Sequence, residues 1–217
     1  MLRTRVKICG VTRIQDVQAA CQAGADAIGL VFYPKSSRLV SLEQARRLRE
    51  SVPAFVSVAA LFVNAEPNQV QQVLEEVNPD FLQFHGDESP EYCAGFGRRY
   101  LKAFRVGGAG LDNPDAVLDA CRRFPQAAAW LFDSYSAGYG GSGLTFDISL
   151  LSRVQQSDDS RPLVLAGGLD PTNVGDIVKS VQPYALDVSS GVEDSGGIKS
   201  ADKMRTFMES VYRASWA

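Results

Sequence analysis

A single (β/α)8 TIM barrel of the α/β class is predicted by three observations. Eight short apolar runs recur along the chain, helix-patterned segments separate them, and the 217 residues suit one barrel of roughly 200 to 250 residues. The expected domain is the whole chain, residues 1–217, as a parallel eight-stranded closed sheet with outer helices. A doubly wound open sheet uses the same alternation, and the count of eight units favours the barrel.

The runs are Arg5–Cys9, Ala27–Phe32, Phe55–Phe62, Phe81–Phe84, Tyr100–Arg105, Ala129–Asp133, Leu163–Ala166 and Tyr184–Val188. They are rich in Val, Ile, Leu and Phe without polar alternation, the pattern of parallel strands buried on both faces. Between them, Ser41 precedes Leu42-Glu43-Gln44, a capping box that starts a helix. Asp170-Pro171 reads as another helix start, with Asp170 as the cap and Pro171 in the first turn. Strand plus helix recurs about every 20 to 30 residues, the rhythm of βα units. The glycine-dense stretch Gly138–Gly143 follows the sixth run within this rhythm and reads as a mobile active-site loop.

Hydrophobic residues form 45% of the chain and charged residues 22%, which opposes disordered and fibrous classes. Lys and Arg number 22 against 25 Asp and Glu, for a net charge of −3, so no basic face for nucleic acid is expected. No apolar run approaches the ~18 residues of a membrane helix, and Met1-Leu2-Arg3-Thr4 carries no signal-peptide core, so the expected location is cytoplasmic, away from membranes. The four cysteines are scattered and there is one histidine, which opposes a metal site and predicts free, mostly buried thiols.

In a barrel, chemistry gathers where strands end. The first run ends in Lys7-Ile8-Cys9-Gly10, the fourth in Gln83-Phe84-His85-Gly86, the sixth in Asp133, the seventh in Gly167-Gly168 and the eighth in Asp187-Val188-Ser189-Ser190-Gly191. Glycines there either permit tight turns or let backbone N–H groups approach an anion; two such ends side by side favour a phosphate. Cys9 is either a small buried hydrophobe or, beside Lys7, a thiolate that takes a proton. Asp133 either caps a turn or donates a proton from across the mouth. Arg38 is either a solvated loop arginine or a fork for a carboxylate. His85 reads as a hydrogen-bonding group, and Asp187 is either a strand-end acceptor or a site residue.

Taken together, KICGVT, GLVFYPKSSR, LFVN, LQFHGDE, KAFR, LFDS with GGSGLTFD, LAGGL, and DVSSGVE with GGIK resemble the phosphoribosylanthranilate isomerases of tryptophan biosynthesis. The match runs in order from Lys7 to about Lys203. The resemblance implies a barrel without cofactor or metal. It implies an Amadori rearrangement of N-(5-phosphoribosyl)anthranilate to 1-(2-carboxyphenylamino)-1-deoxy-D-ribulose 5-phosphate, an isomerisation with no net redox change. It makes Cys9 the general base and Asp133 the general acid. It gives Arg38 to the anthranilate carboxylate and Asp187 to the substrate, with His85 kept in the substrate-binding set. The phosphate falls to Gly167, Gly168, Ser189, Ser190 and Gly191. Two positions depart from the family pattern, Phe84 for Leu and Ile148 for Trp, and both are expected to alter packing near the loop after the sixth strand.

The rivals are a histidine-pathway or dual-substrate aminoaldose isomerase, in which an aspartate ends the first strand, and indoleglycerol-phosphate synthase, which uses catalytic lysines. A non-catalytic barrel that binds a phosphorylated metabolite is the third. Cys9 opposes the first, and Cys9 together with Asp133 opposes the last. The expected partner is a small phosphorylated substrate, with the chain a monomer or a homodimer.

Overall fold

The computed structural model describes residues 3–135 and 147–216; the glycine-dense stretch at 138–143 lies outside them. Eight parallel strands close into one barrel in sequence order: β1 (Arg5–Cys9), β2 (Ala27–Val31), β3 (Ser57–Phe62), β4 (Phe81–Phe84), β5 (Tyr100–Val106), β6 (Ala129–Ser134), β7 (Leu163–Leu165) and β8 (Ala185–Val188). The helices are α1 (Ile14–Ala23), α2 (Leu42–Glu50), α3 (Pro67–Glu76), α4 (Pro90–Ala94), α5 (Pro114–Arg122), α6 (Ser152–Gln156), α7 (Val174–Val181) and α8 (Ala201–Ser215). A hairpin, β9 (Glu193–Ser195) with β10 (Ile198–Lys199), follows β8. Among the described residues no helix is long and apolar enough to cross a membrane.

Because β1 pairs with both β2 and β8, successive side chains point alternately into the barrel and out toward the helices. Outward Ile8, Phe84, Phe132 and Leu186 are buried in the main core, whereas Ala103, Ala129, Leu131, Val164 and Ala166 form a separate cluster inside the barrel.

Several boundaries differ from the sequence reading. β3 starts at Ser57 because Val56 N–H closes a turn onto the Pro53 carbonyl, and this leaves Phe55 fully exposed at 101%. β8 starts at Ala185, with Tyr184 outside the ladder under the Arg5 guanidinium. β2 and β7 each stop a residue early, while β5 and β6 extend together to the pair Val106↔Ser134.

Ser41 Oγ accepts the Gln44 N–H as expected, but the Gln44 side chain donates to the Thr12 carbonyl instead of closing the box. Asp170 caps a preceding turn, accepting from the Thr172 and Asn173 N–H groups, and α7 begins only at Val174. The expectation for Phe84 is also corrected: its ring lies among Phe62, Tyr92, Phe96 and Tyr100, in the layer between barrel and helices rather than at the mouth. Ile148 opens a 3₁₀ turn, partly buried against the main core.

This placement makes Phe84 a stability residue. Phe84→Ala should lower the unfolding free energy by about 3–5 kcal/mol and Phe84→Leu by less than about 1.5 kcal/mol, read from urea midpoints.

Candidate active site

The strand ends surround one hollow with about 690 Å³ of empty volume, including its open mouth. Nine of the ten sequence-predicted residues line it: Cys9, Arg38, His85, Asp133, Gly167, Gly168, Asp187, Ser189 and Ser190. Gly191 does not. It packs behind the site, where a Cβ would collide with the Leu169 carbonyl oxygen, so its glycine lets the two loops after β7 and β8 lie against each other. At Gly167, φ is +82°, and a Cβ would stand 2.8 Å from Asp133 Oδ1; a side chain there is excluded twice over.

Cys9, the last inward residue of β1, is buried. Lys7, two residues earlier, points the same way and donates to Asp187 Oδ1 across the β1–β8 pairing at 2.7 Å. Burial pushes the Cys9 thiol up, the Asp187 charge adds to this, and Lys7 offsets only part of it. Burial and Asp187 thus oppose the thiolate form of Cys9, while Lys7 favours it. Burial alone would pull Lys7 down, but the charge and hydrogen bond of Asp187 lead the contributions that outweigh it, and the Lys7 ammonium is held above its ordinary range.

Across the mouth, Asp133 Oδ1 accepts the Ser134 N–H at 2.8 Å, and its Oδ2 stands 3.2 Å from His85 Nε2. Gln83, two residues before His85 on β4 and wholly buried, places Nε2 3.1 Å from His85 Nδ1. With the Gln83 amide donating, His85 carries its proton on Nε2, toward Asp133. Nε2 and Oδ2 lie close, but the contact is not aligned as a hydrogen bond.

Arg38 does not present a free fork. Its Nε and Nη2 donate to the two oxygens of Glu193, each at 2.7 Å, so only the remaining guanidinium edge is left for a ligand. Beside it, Val31, Tyr33, Leu61 and Val63 form a mostly apolar wall of the hollow. At the opposite side, Gly167, Gly168, Ser189 and Ser190 lie together at the ends of β7 and β8.

Sequence reasoning missed Gln83, Glu193 and Lys199. Gln83 was accessible from the two-residue spacing to His85; nothing local marks the other two. The four cysteines are free, with Cys9, Cys93 and Cys121 buried and Cys21 partly so. Among the described residues no group of His, Cys, Asp and Glu is placed to hold a metal.

A closed barrel whose polar strand ends converge on one hollow defines a (β/α)8-barrel enzyme of small-molecule metabolism. The family model described as N-(5'phosphoribosyl)anthranilate (PRA) isomerase matches residues 6–210. An N-(5'-phosphoribosyl)anthranilate isomerase of Bordetella avium is 60% identical over 97% of this chain and 96% of its own length. A phosphoribosyl anthranilate isomerase structure from Thermotoga maritima superposes with a TM-score of 0.86 at 39% identity, covering 97% of this chain and 99% of that one. Another structure of the isomerase, in complex with reduced 1-(o-carboxyphenylamino)-1-deoxyribulose 5-phosphate, gives 0.83 at 36% identity over the same shares. This chain belongs to the N-(5'-phosphoribosyl)anthranilate isomerase family.

The raised Cys9 thiol makes a pH prediction. Alkylation by iodoacetamide needs the thiolate, so the labelling rate at Cys9 should climb with pH through and beyond the ordinary thiol range. Lys7→Met removes a cation that favours the thiolate and should move that profile further up; a downward move in the pH–rate curve, followed by mass spectrometry, would contradict the assignment.

Proposed function

We propose that Cys9 is the general base and Asp133 the general acid of this chain's reaction, the isomerisation of N-(5'-phosphoribosyl)anthranilate in tryptophan biosynthesis. The observation that carries the assignment is that both line one hollow from β1 and β6, strands set well apart around the barrel. The substrate is a closed aminoaldose. Asp133 protonates its ring oxygen, the C1'–O bond breaks, and the nitrogen lone pair forms an iminium. That cation acidifies the C2' hydrogen, Cys9 removes it, and the resulting enolamine tautomerises to the ketose. Atoms and electrons balance without an external oxidant or reductant.

The base is the thiolate form of Cys9, its own proton given up to solvent through the open mouth before the step, and the iminium that forms beside it favours that form. Lys7 supplies the permanent part of the same bias. His85, held by Gln83, orients the Asp133 carboxyl. The free edge of Arg38 takes the anthranilate carboxylate, the wall of Val31, Tyr33, Leu61 and Val63 takes its ring, and Asp187 faces the sugar. The loops bearing Gly167, Gly168, Ser189 and Ser190 take the phosphate, with Gly191 letting them close on each other. The free cysteines suit a cytoplasmic enzyme.

Of the two oligomeric states, one observation favours the homodimer. Exposed Phe55 stands at the barrel end opposite the site, where the strand starts surround a second hollow lined by Val6, Ala27, Leu101 and Val164 together with Arg5, Lys7, Asp26, Asp80 and Arg99. A knob and a hole on one face fit a second copy across a two-fold axis. A relative from Thermotoga maritima is described as dimeric. Light scattering should give a dimer mass that Phe55→Glu halves; a monomer mass for the parent would decide for the monomer.

Asp133→Asn should fold normally and lose nearly all kcat, because an amide cannot donate the proton; a loss below about tenfold would count against the acid. Cys9→Ser should lose orders of magnitude, since serine is too weak an acid to supply an alkoxide near neutral pH. Near-parent turnover by folded Cys9→Ser would remove Cys9 from the mechanism. Inorganic phosphate should inhibit competitively, and a crystal grown from it should hold an anion near Gly168 and Ser190.

A further inference from the structure

The hairpin β9–β10 places two buried charges directly behind the mouth. Glu193 and Lys199 are 8% and 3% exposed, and their side chains meet at 2.7 Å between Lys199 Nζ and Glu193 Oε1. Glu193 also receives the Arg38 fork described above. Lys199 Nζ, on its other side, donates to the Ser189 carbonyl at 3.1 Å and lies 3.3 Å from Ser189 Oγ, which in turn donates to the Cys9 carbonyl. Side chains thus link Arg38, Glu193, Lys199 and Ser189 in a row that ends on the Cys9 carbonyl.

The hairpin itself is anchored. Thr12 Oγ1 donates to the Gly197 carbonyl, Asp16 accepts the Lys199 N–H, and Lys203 Nζ donates to the Glu193 carbonyl. On the far side of Arg38, Gly10 leaves only enough room for the arginine stem, because a Cβ there would collide with Arg38 Cδ. Arg38 is clamped between a glycine and a carboxylate that is itself immobile.

We propose that Glu193 and Lys199 are a positioning pair that fixes the carboxylate subsite at Arg38 and the phosphate subsite at Ser189 relative to each other. This rests on the reading of Arg38 and Ser189 given above. A substrate with an anion at each end is held in the reactive pose only if the two subsites keep a fixed separation, and a misplacement of about 1 Å has a large kinetic cost. Neither residue lines the hollow. Glu193 fixes which edge of Arg38 faces the hollow, and Lys199 fixes the Ser189 peptide while drawing on the same carboxylate.

The sign of the effect separates positioning from simple charge. Glu193→Gln removes a negative charge between two cations, so a purely electrostatic role predicts tighter binding of anions. Positioning predicts looser binding. Glu193→Asp keeps the charge but loses the reach of a methylene, so under positioning it resembles Glu193→Gln, whereas under a charge role it restores the parent.

The experiment measures KM, kcat and the competitive inhibition constants of two fragment probes, anthranilate for one subsite and inorganic phosphate for the other. The variants are Glu193→Gln, Glu193→Asp and Lys199→Met, each checked for a cooperative thermal transition. The expected result is a rise of about tenfold in KM and in both inhibition constants for both Glu193 variants. Lys199→Met should weaken anthranilate as well as phosphate, although it stands on the phosphate side. Tighter anions in Glu193→Gln, parent behaviour of Glu193→Asp, or an anthranilate constant unmoved by Lys199→Met would overturn the proposal. Arg38→Met keeps the two levels apart. If it leaves anthranilate inhibition unchanged, the underlying subsite is wrong; if it weakens anthranilate while the Glu193 variants do not, the subsite stands and the positioning pair fails. Should Glu193→Gln not fold, Lys199→Met and Glu193→Asp still decide through the anthranilate constant.

Discussion

Closure of the barrel is the constraint on which the rest depends. A closed parallel sheet has no edge, every strand is buried on both faces, and a shift of one residue in any strand would exchange its inner and outer sets. The outer set prevents such a shift. Ile8, Phe84, Phe132 and Val188 are each at most 1% exposed, and burying side chains of this size contributes roughly 1.5–3 kcal/mol apiece. Their even-numbered positions therefore dictate that the odd-numbered Lys7, Cys9, Gln83, His85, Asp133 and Asp187 face inward. The apolar layer that holds the helices on also aims the polar residues at the hollow.

Carboxylates and ammonium or guanidinium groups buried at the strand ends make up a second layer of organisation. Lys7 meets Asp187, Lys102 meets Glu88, and Glu193 lies between Arg38 and Lys199. Desolvation makes such pairs poor sources of net stability. Their placement gives two of them another use, because Glu88 and Glu193 also fix mouth segments. Glu88 accepts the N–H groups of Asn64 and Gly86, tying the loop after β3 to the loop after β4. Glu193 joins the loop after β2 to the hairpin after β8. Removing one partner would leave a buried charge exposed to no solvent and a loop without its anchor.

How much of this was legible in the sequence follows from the range of the interactions. The strands were readable because a buried strand is a local apolar run. Phe55 was misassigned for the same reason, since an exposed phenylalanine beside a run looks like part of it until Pro53 is seen to turn the chain. The site residues were readable as polar interruptions at strand ends, and the ordered motifs gave them a family context. Glu193 and Lys199 carry no such mark. Glu193 takes its meaning from a contact with Arg38 across 155 positions of sequence, Lys199 takes its meaning from Glu193, and no periodicity reports a contact of the first range. The direction of the Cys9 shift was hidden likewise: the neighbour in sequence is a lysine, whereas burial and Asp187, from the other end of the chain, prevail over it.

That last balance bears on the order of events at the site. If Cys9 rested as a thiolate, it would be an alkylation-prone nucleophile facing an open hollow, and it would stand ready before the substrate carried any acidic hydrogen. Burial and Asp187 disfavour that form. In the proposed reaction the acid step at Asp133 creates an iminium whose charge adds to that of Lys7, and Cys9 acts as the thiolate after its own proton has left to solvent. The free sugar ring offers no iminium, so proton abstraction follows protonation. In the proposed reaction the order of the two transfers is set by the substrate itself, whose closed ring carries no acidic C2' hydrogen until the iminium forms.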